Sequence, residues 1–369
     1  MTPWKQAERL RGAVAAPAEV PGGGGGVPAE AVIWAFRYFA GRDPVDEAEI
    51  ALHRQHPSID SLRAAFLQIR EFEPVYLKAK GGKKRFGALP FLLRPPADPA
   101  TPWRFEPPTL EHPVSQLCTA AQFEEPAFQE IMEAMALRPS RHRRLWESVF
   151  VIAVLATEGL IAPGRRGLGF GVGRERVPAV LASRGVEVVA TAAPDSAGPA
   201  SAGGSHPAQF LDLFYPEIIH LDDFERMVRF EPLQPGVVPA GFAGAFDFCW
   251  SSHVMEGLGS LAAGLGFVER SLAVLRPGGI AIHMSELNLS SDEATIETPE
   301  LSVLRRCDLE ALAAHLGARG HEVLPLNLYP GHDAQDEVVD APPFGLPHLK
   351  AQLGGLMVTS FGLVVRKGR

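Results

Sequence analysis

At 369 residues the chain exceeds one average domain, and 46% apolar against 21% charged residues is enough to bury a large core. A formal net charge of −8 with no long basic stripe argues against a nucleic-acid partner, and no apolar run reaches the roughly 18–20 residues of a membrane span. Residues 1–16 lack the apolar centre of a secretory leader, and Cys118, Cys249 and Cys307 lie far apart, so a reducing cytoplasm is expected, with neither disulfides nor a cysteine-rich zinc site.

In chain order, residues 1–28 form a flexible N-terminus that ends in a linker with five consecutive glycines, Gly22 to Gly26. Residues 29–85 are a small helical module: Ala31, Ile33, Trp34, Phe36, then Leu62, Ala65, Phe66 and Ile69 recur at helical spacing. Pro44 and Pro57 mark its turns, and Ser58 or Asp60 caps the last helix. Residues 78–84 read as a basic, solvated loop. Residues 86–145 are a proline-rich connector followed by helices, with a helix expected over 115–137. A strongly apolar helix follows over 146–160.

Then comes the most informative stretch, with Gly169, Gly171 and Gly173 alternating across a tight turn. Glycine admits φ > 0 and lets backbone approach a ligand closely. The turn opens a helix and is followed by a strand over 187–191, which is the arrangement of a nucleotide-type corner in an open parallel sheet. Residues 192–205 are a low-complexity loop. Strands are expected over 228–233, 245–251, 280–284, 323–328 and 357–365, with helices over 261–275 and 308–317. The alternation predicts an α/β, doubly wound sheet. Cys249 reads as a small core residue.

Four elements together resemble class I S-adenosylmethionine-dependent methyltransferases: Gly169-Phe170-Gly171-Val172-Gly173, the strand Phe246 to Ser252, the turn Leu275-Arg276-Pro277-Gly278-Gly279-Ile280, and the closing strand ending Val364-Val365-Arg366-Lys367. The third carries the most weight. The resemblance covers residues 146–366. It implies a Rossmann-like sheet of about seven strands, the last antiparallel, behind the N-terminal helical region. It implies S-adenosyl-L-methionine as cofactor, lying across the carboxyl ends of the first, second and fourth strands. Gly169, Phe170, Gly171 and Gly173 would then meet its methionine part. Thr191, Ala192, Leu233, Gln234, Ser251 and Ser252 would line the rest.

The chain departs from that pattern at three points. The acid that often closes the second strand is replaced by Ala192, with Asp195 the nearest carboxylate. A lost hydrogen bond to a charged group of ~1.5–3 kcal/mol weakens binding about ten- to hundredfold. Gln234 stands where an acid often faces the adenine amine, and Gly257 follows Glu256 where close relatives have histidine.

For transfer to a hydroxyl, a general base helps. The candidates are His253 and Glu256 after the fourth strand and Glu286 after the fifth; His283 is expected to point into the core. The polar loop 288–298 suits a hydroxyl-rich small molecule or glycan-linked acceptor. The 29–85 module resembles, faintly, helical modules beside bacterial glycan-building enzymes. Arg305 and Arg306 are candidates for an anionic group, and Trp146 and His142 for the methionine end. His332, Asp333, Asp336 and Asp340 fit no compact metal site. A nicotinamide oxidoreductase would need an acid or arginine after Thr191, which is missing. The alternative reading is a degenerate cofactor-binding or scaffold protein without turnover.

Overall fold

The computed structural model describes residues 26–40, 42–66, 84–193, 209–342, 344 and 348–369. Most of the glycine linker, most of the basic loop and the low-complexity insert from residue 194 onward, including Asp195, lie outside the described residues. The chain divides into two units, Met1–Gly82 and Lys83–Arg369.

In the first unit, α1 (Ala29–Ala35) runs into a wider π-turn over Phe36–Ala40, followed by α2 (Glu47–His53) and α3 (Ile59–Phe66). Asp46 caps α2 by accepting from the Glu49 amide at 2.8 Å, and Ser58 caps α3 by accepting from the Ser61 amide at 3.1 Å. Val32, Phe36, Leu62 and Phe66 are the buried centre, with the rings of Phe36 and Phe66 edge to face at 4.7 Å.

The second unit opens with short pieces: β1 (Lys84–Arg85), α4 (Pro90–Leu93), β2 (Trp103–Arg104) and β3 (Ser115–Leu117). The expected helix over 115–137 is broken. Its start pairs with the last strand of the sheet, a 3-10 turn spans Ala120–Glu124, and only α5 (Pro126–Ala134) is α-helical. Pro126 explains the break, because its ring blocks a continuing helix but fits a first turn. The apolar helix α6 (Arg143–Thr157) follows.

The rest alternates as the sequence predicts: β4 (Arg166–Phe170), α7 (Val177–Ser183), β5 (Glu187–Ala192), α8 (Leu221–Met227), β6 (Val228–Pro232), β7 (Phe246–Ser252), α9 (Leu261–Ser271), β8 (Leu275–Asn288), α10 (Arg306–Gly317). The expected strand 323–328 splits into β9 (Glu322–Val323) and β10 (Leu326–Asn327). Then come β11 (Val338–Asp340), β12 (Lys350–Leu353) and β13 (Leu356–Arg366).

The sheet order is β1-β11-β12-β13-β8-β7-β4-β5-β6. Strands β4 to β8 are parallel, and β13 is antiparallel to β8. The outer edge of β13 is shared in succession by β12, β3 and β9. The sheet is therefore wider than the expected seven strands, and the connector segment from Lys84 onward contributes to it. The Arg276 to Gly279 turn is a bulge inside β8: Phe246 pairs with Leu275 and Phe248 with Ile280, so the four residues between are extruded. Gly278, at φ +80°, and Gly279 join it to Lys367 through backbone bonds of 2.9 and 2.8 Å.

Helices cover both faces. Phe248 and Trp250 of β7 point to the α5–α7 face, while Phe170 and Cys249 point to the α9–α10 face, as strand alternation requires. Chain order reverses between β4 and β7, which makes the carboxyl end of that pair the topological switch point. Among the described residues no helix is long and apolar enough to cross a membrane.

Candidate functional site

The glycine turn stands at that switch point, but its glycines do different jobs. A Cβ on Gly169 would lie 2.4 Å from Val172 Cγ2 and 2.6 Å from Trp250 Cζ2. The missing side chain of Gly169 therefore makes room for a tryptophan ring. Gly171 is the one that turns the chain, at φ +60°. Thr191 holds this turn: its hydroxyl donates to the Gly169 carbonyl at 2.9 Å, and its carbonyl accepts from the Val172 amide at 2.7 Å.

Burial divides the other expected contacts. Phe170, Thr191, Ala192 and Ser251 are all within 2% of complete burial. Phe170 packs edge to face on Phe267, and the Ser251 hydroxyl meets His283 Nδ1 at 2.8 Å. These four shape the turn and core and present no surface to a ligand. Gly171, Gly173, Leu233 and Ser252 are partly exposed at the carboxyl edge, and Gln234 is exposed. His283 lies in the core, between the Ser251 and Ser271 hydroxyls, and burial pushes its imidazole down to about 3.

The three expected catalytic residues do come together, in a buried ionic cluster with partners the sequence reading missed. His253 Nε2 meets Glu147 of α6 at 2.6 Å, and Nδ1 meets Glu256 at 2.8 Å. Glu256 also accepts from the Glu286 amide at 2.6 Å. Glu286 Oε1 accepts from Arg143 and, at 2.9 Å, from Arg144. Ser360 of β13 donates to Glu147 and accepts from Arg143 at 3.2 Å. His253 adopts φ +59°, a left-handed backbone that a non-glycine residue takes only when its surroundings hold it.

Burial pulls the His253 imidazole down, but Glu147 and Glu256 outweigh it and raise it to about 10. Burial raises Glu147, yet His253 and Arg144 bring it down to about 2. Arg144 Nη1 also lies 2.7 Å from His253 Nδ1. A neutral ring accepting there would still donate from Nε2 to Glu147 but would leave Glu256 without its Nδ1–H donor, and the two carboxylates together favour the imidazolium. At neutral pH His253 therefore holds its proton between Glu147 and Glu256. Glu256 and Glu286 are likewise buried and engaged, not aimed at a substrate.

His253, Glu256 and Glu286 bring metal-type ligand atoms within 4.8 Å of one another. Two arginines already occupy Glu286, so the arrangement is an ion-pair network and not a cation cage. The His332 to Asp340 acids do not converge: Asp336 is buried against the Ala120 amide and near Lys350, while Asp340 pairs with His348 at 3.2 Å. Arg305 is forked onto Asp308, and Arg306 is buried on Glu310 and the Phe91 carbonyl. Neither is free for an anion. Trp146 is a packing residue, stacked on Phe150 and donating to Gln122 at 2.6 Å, and His142 caps α6. The 288–298 loop is folded on itself: Asn288 is fully buried, and Asp292 accepts from the Cys307 amide at 2.7 Å.

One carboxyl at the switch point had escaped notice. Glu175, two residues past Gly173, accepts from the Trp250 indole at 2.8 Å. Burial pushes it up to about 7. Its signal in the sequence was slight, an acid directly after Gly173-Arg174. Glu147 was more legible, as a lone acid inside an apolar helix.

No family model and no curated protein matches this chain. Solved structures do. A sarcosine dimethylglycine methyltransferase, so described as putative, from Galdieria sulphuraria is 11% identical over 60% of this chain and 84% of its own, with a TM-score of 0.39. The 1,6-didemethyltoxoflavin-N1-methyltransferase of Burkholderia thailandensis, with bound S-adenosylhomocysteine, is 16% identical over 68% of this chain and 82% of its own, with a TM-score of 0.34. The magnesium protoporphyrin IX methyltransferase of Synechocystis, also with S-adenosylhomocysteine, is 10% identical over 64% and 87%, with a TM-score of 0.35. The overlaps are loose, so the strand order and the switch point carry the argument. The fold is a doubly wound, Rossmann-like sheet, β6-β5-β4-β7-β8-β13, with only the last of these antiparallel.

Proposed function

We propose that this chain binds S-adenosylmethionine at the β4–β7 switch point and transfers its methyl group to a hydroxyl of a small-molecule or glycan-linked acceptor. The observation that carries the reading is the Gly171 turn, left-handed and partly exposed at the carboxyl end of β4, where chain order reverses. The cofactor, when bound, supplies an activated methyl on sulfur. Gly171 and Gly173 would hold it with backbone, Leu233 and Gln234 would flank its base, and Ser252 would border the reacting end. The ionic cluster fixes the loop after β7, so that the wall of the crevice keeps one shape and reactants are aligned.

A second reading, binding without turnover, is favoured by the saturated cluster: His253 is charged and engaged on both ring nitrogens. Titration calorimetry with S-adenosylmethionine and S-adenosylhomocysteine tests the first claim. Saturable binding that Gly171→Asp removes supports it, and no heat at millimolar ligand refutes it. Conversion of the donor over a panel of hydroxyl acceptors then separates the two readings.

A further inference from the structure

The carboxyl of Glu175, partly buried, is unlike the buried acids near the switch point. Glu147 and Glu256 share His253, and Glu286 has Arg143 and Arg144. Glu175 has only neutral donors, the Trp250 indole and the Ser252 hydroxyl. The arginines beside it in sequence are committed elsewhere: Arg174 to Asp212 at 3.3 Å and Arg176 to Glu217 at 2.7 Å. Among the described residues no lysine or arginine pairs with Glu175. Trp250 ties it from the loop after β4 across to β7, so it spans the crevice where the chain order reverses.

The geometry points to Glu175 as the counter-charge for a cationic ligand group bound in this crevice, and, on the reading above, for the sulfonium of the methyl donor. An unpaired carboxyl with one oxygen held in place is a ready partner for a cation and has no use for a neutral thioether. The groups that face it are Glu147 from α6, His253 and Ser252 after and on β7, and Tyr215 beside the glycine loop. Glu147 and His253 offset each other, because they form a pair. Loss of hydration, the largest influence on Glu175, then disfavours a bare carboxylate until a cation arrives.

Binding of a cation therefore releases a proton from Glu175, and affinity for it rises with pH around neutrality. Calorimetry of the full chain reads this directly. S-adenosylmethionine should bind about tenfold tighter near pH 8 than near pH 6, with proton release visible in buffers of different ionisation heat. S-adenosylhomocysteine, which lacks the sulfonium charge, should change little. Glu175→Gln keeps an acceptor for Trp250 and should abolish the pH dependence for the cation while leaving the neutral ligand's affinity intact. Equal pH profiles for the two ligands, or a Glu175→Gln variant that keeps the difference, overturn the inference alone. Failure of both ligands to bind sinks the site reading together with it.

Discussion

Two carboxyls near the switch point, the buried Glu147 and the partly buried Glu175, sit about five pH units apart, near 2 and near 7. Burial pushes both upward. The difference is company: Glu147 shares a cluster with two arginines and an imidazolium, whereas Glu175 meets an indole and a hydroxyl. Desolvation alone sets where a buried acid starts, and the neighbouring charges decide where it ends. The first region is finished chemistry, with its charges matched internally. The second has a charge still to be matched, which is what a binding site needs.

Breaking the matched region should give the largest effect. Arg143→Met leaves Glu286 short of a cation in the core and should cost about 3–5 kcal/mol in urea unfolding. The double variant Arg143→Met/Glu286→Leu should recover much of that, since the carboxylate that lost its partner is then gone. A loss below ~1 kcal/mol for the single variant would mean that the cluster is not a closed unit.

The unmatched region should respond in the opposite direction. The Glu175 carboxyl is raised in the folded chain from its ordinary 4.5 to about 7, so the folded state bears a cost that grows as pH rises through that window. Glu175→Gln should stabilise the chain by about 2 kcal/mol near pH 8 and by almost nothing near pH 4. A stabilisation that is the same at both pH values would contradict the assignment of a partly buried, unpaired carboxyl.

The smallest expected change concerns the link between the regions. His253 is raised in the folded chain, so its contribution is full below about 6.5 and fades as pH climbs toward about 10. Glu147→Gln should lower its midpoint by about one unit or more, equal to ~1.4 kcal/mol, read by the ring-proton shifts in NMR titration. An unmoved midpoint would assign the proton to another partner.

Much of the architecture was legible from periodicity and punctuation. The strands around Leu168, Val189, Cys249 and Ile282 and the Arg276 to Gly279 bulge follow from apolar runs between helices and from turn residues. The 115–137 region was not, because Ser115 to Leu117 is a strand through its partners β13 and β10, each more than 200 residues away. The site was less legible. Gly169 and Gly171 look alike in sequence, yet one yields to Trp250 and the other bends the backbone.

The sequence by itself determined the alternation of strands and helices and the positions of its turns, because these follow from local spacing along single elements. Tertiary structure alone decided the protonation of each group and which glycine yields to a tryptophan ring and which bends the backbone. Those properties are set by side chains from α6, β7, β8 and β13 that meet only once the sheet has closed, and Coulomb and packing forces act on distance in space, not on separation along the chain.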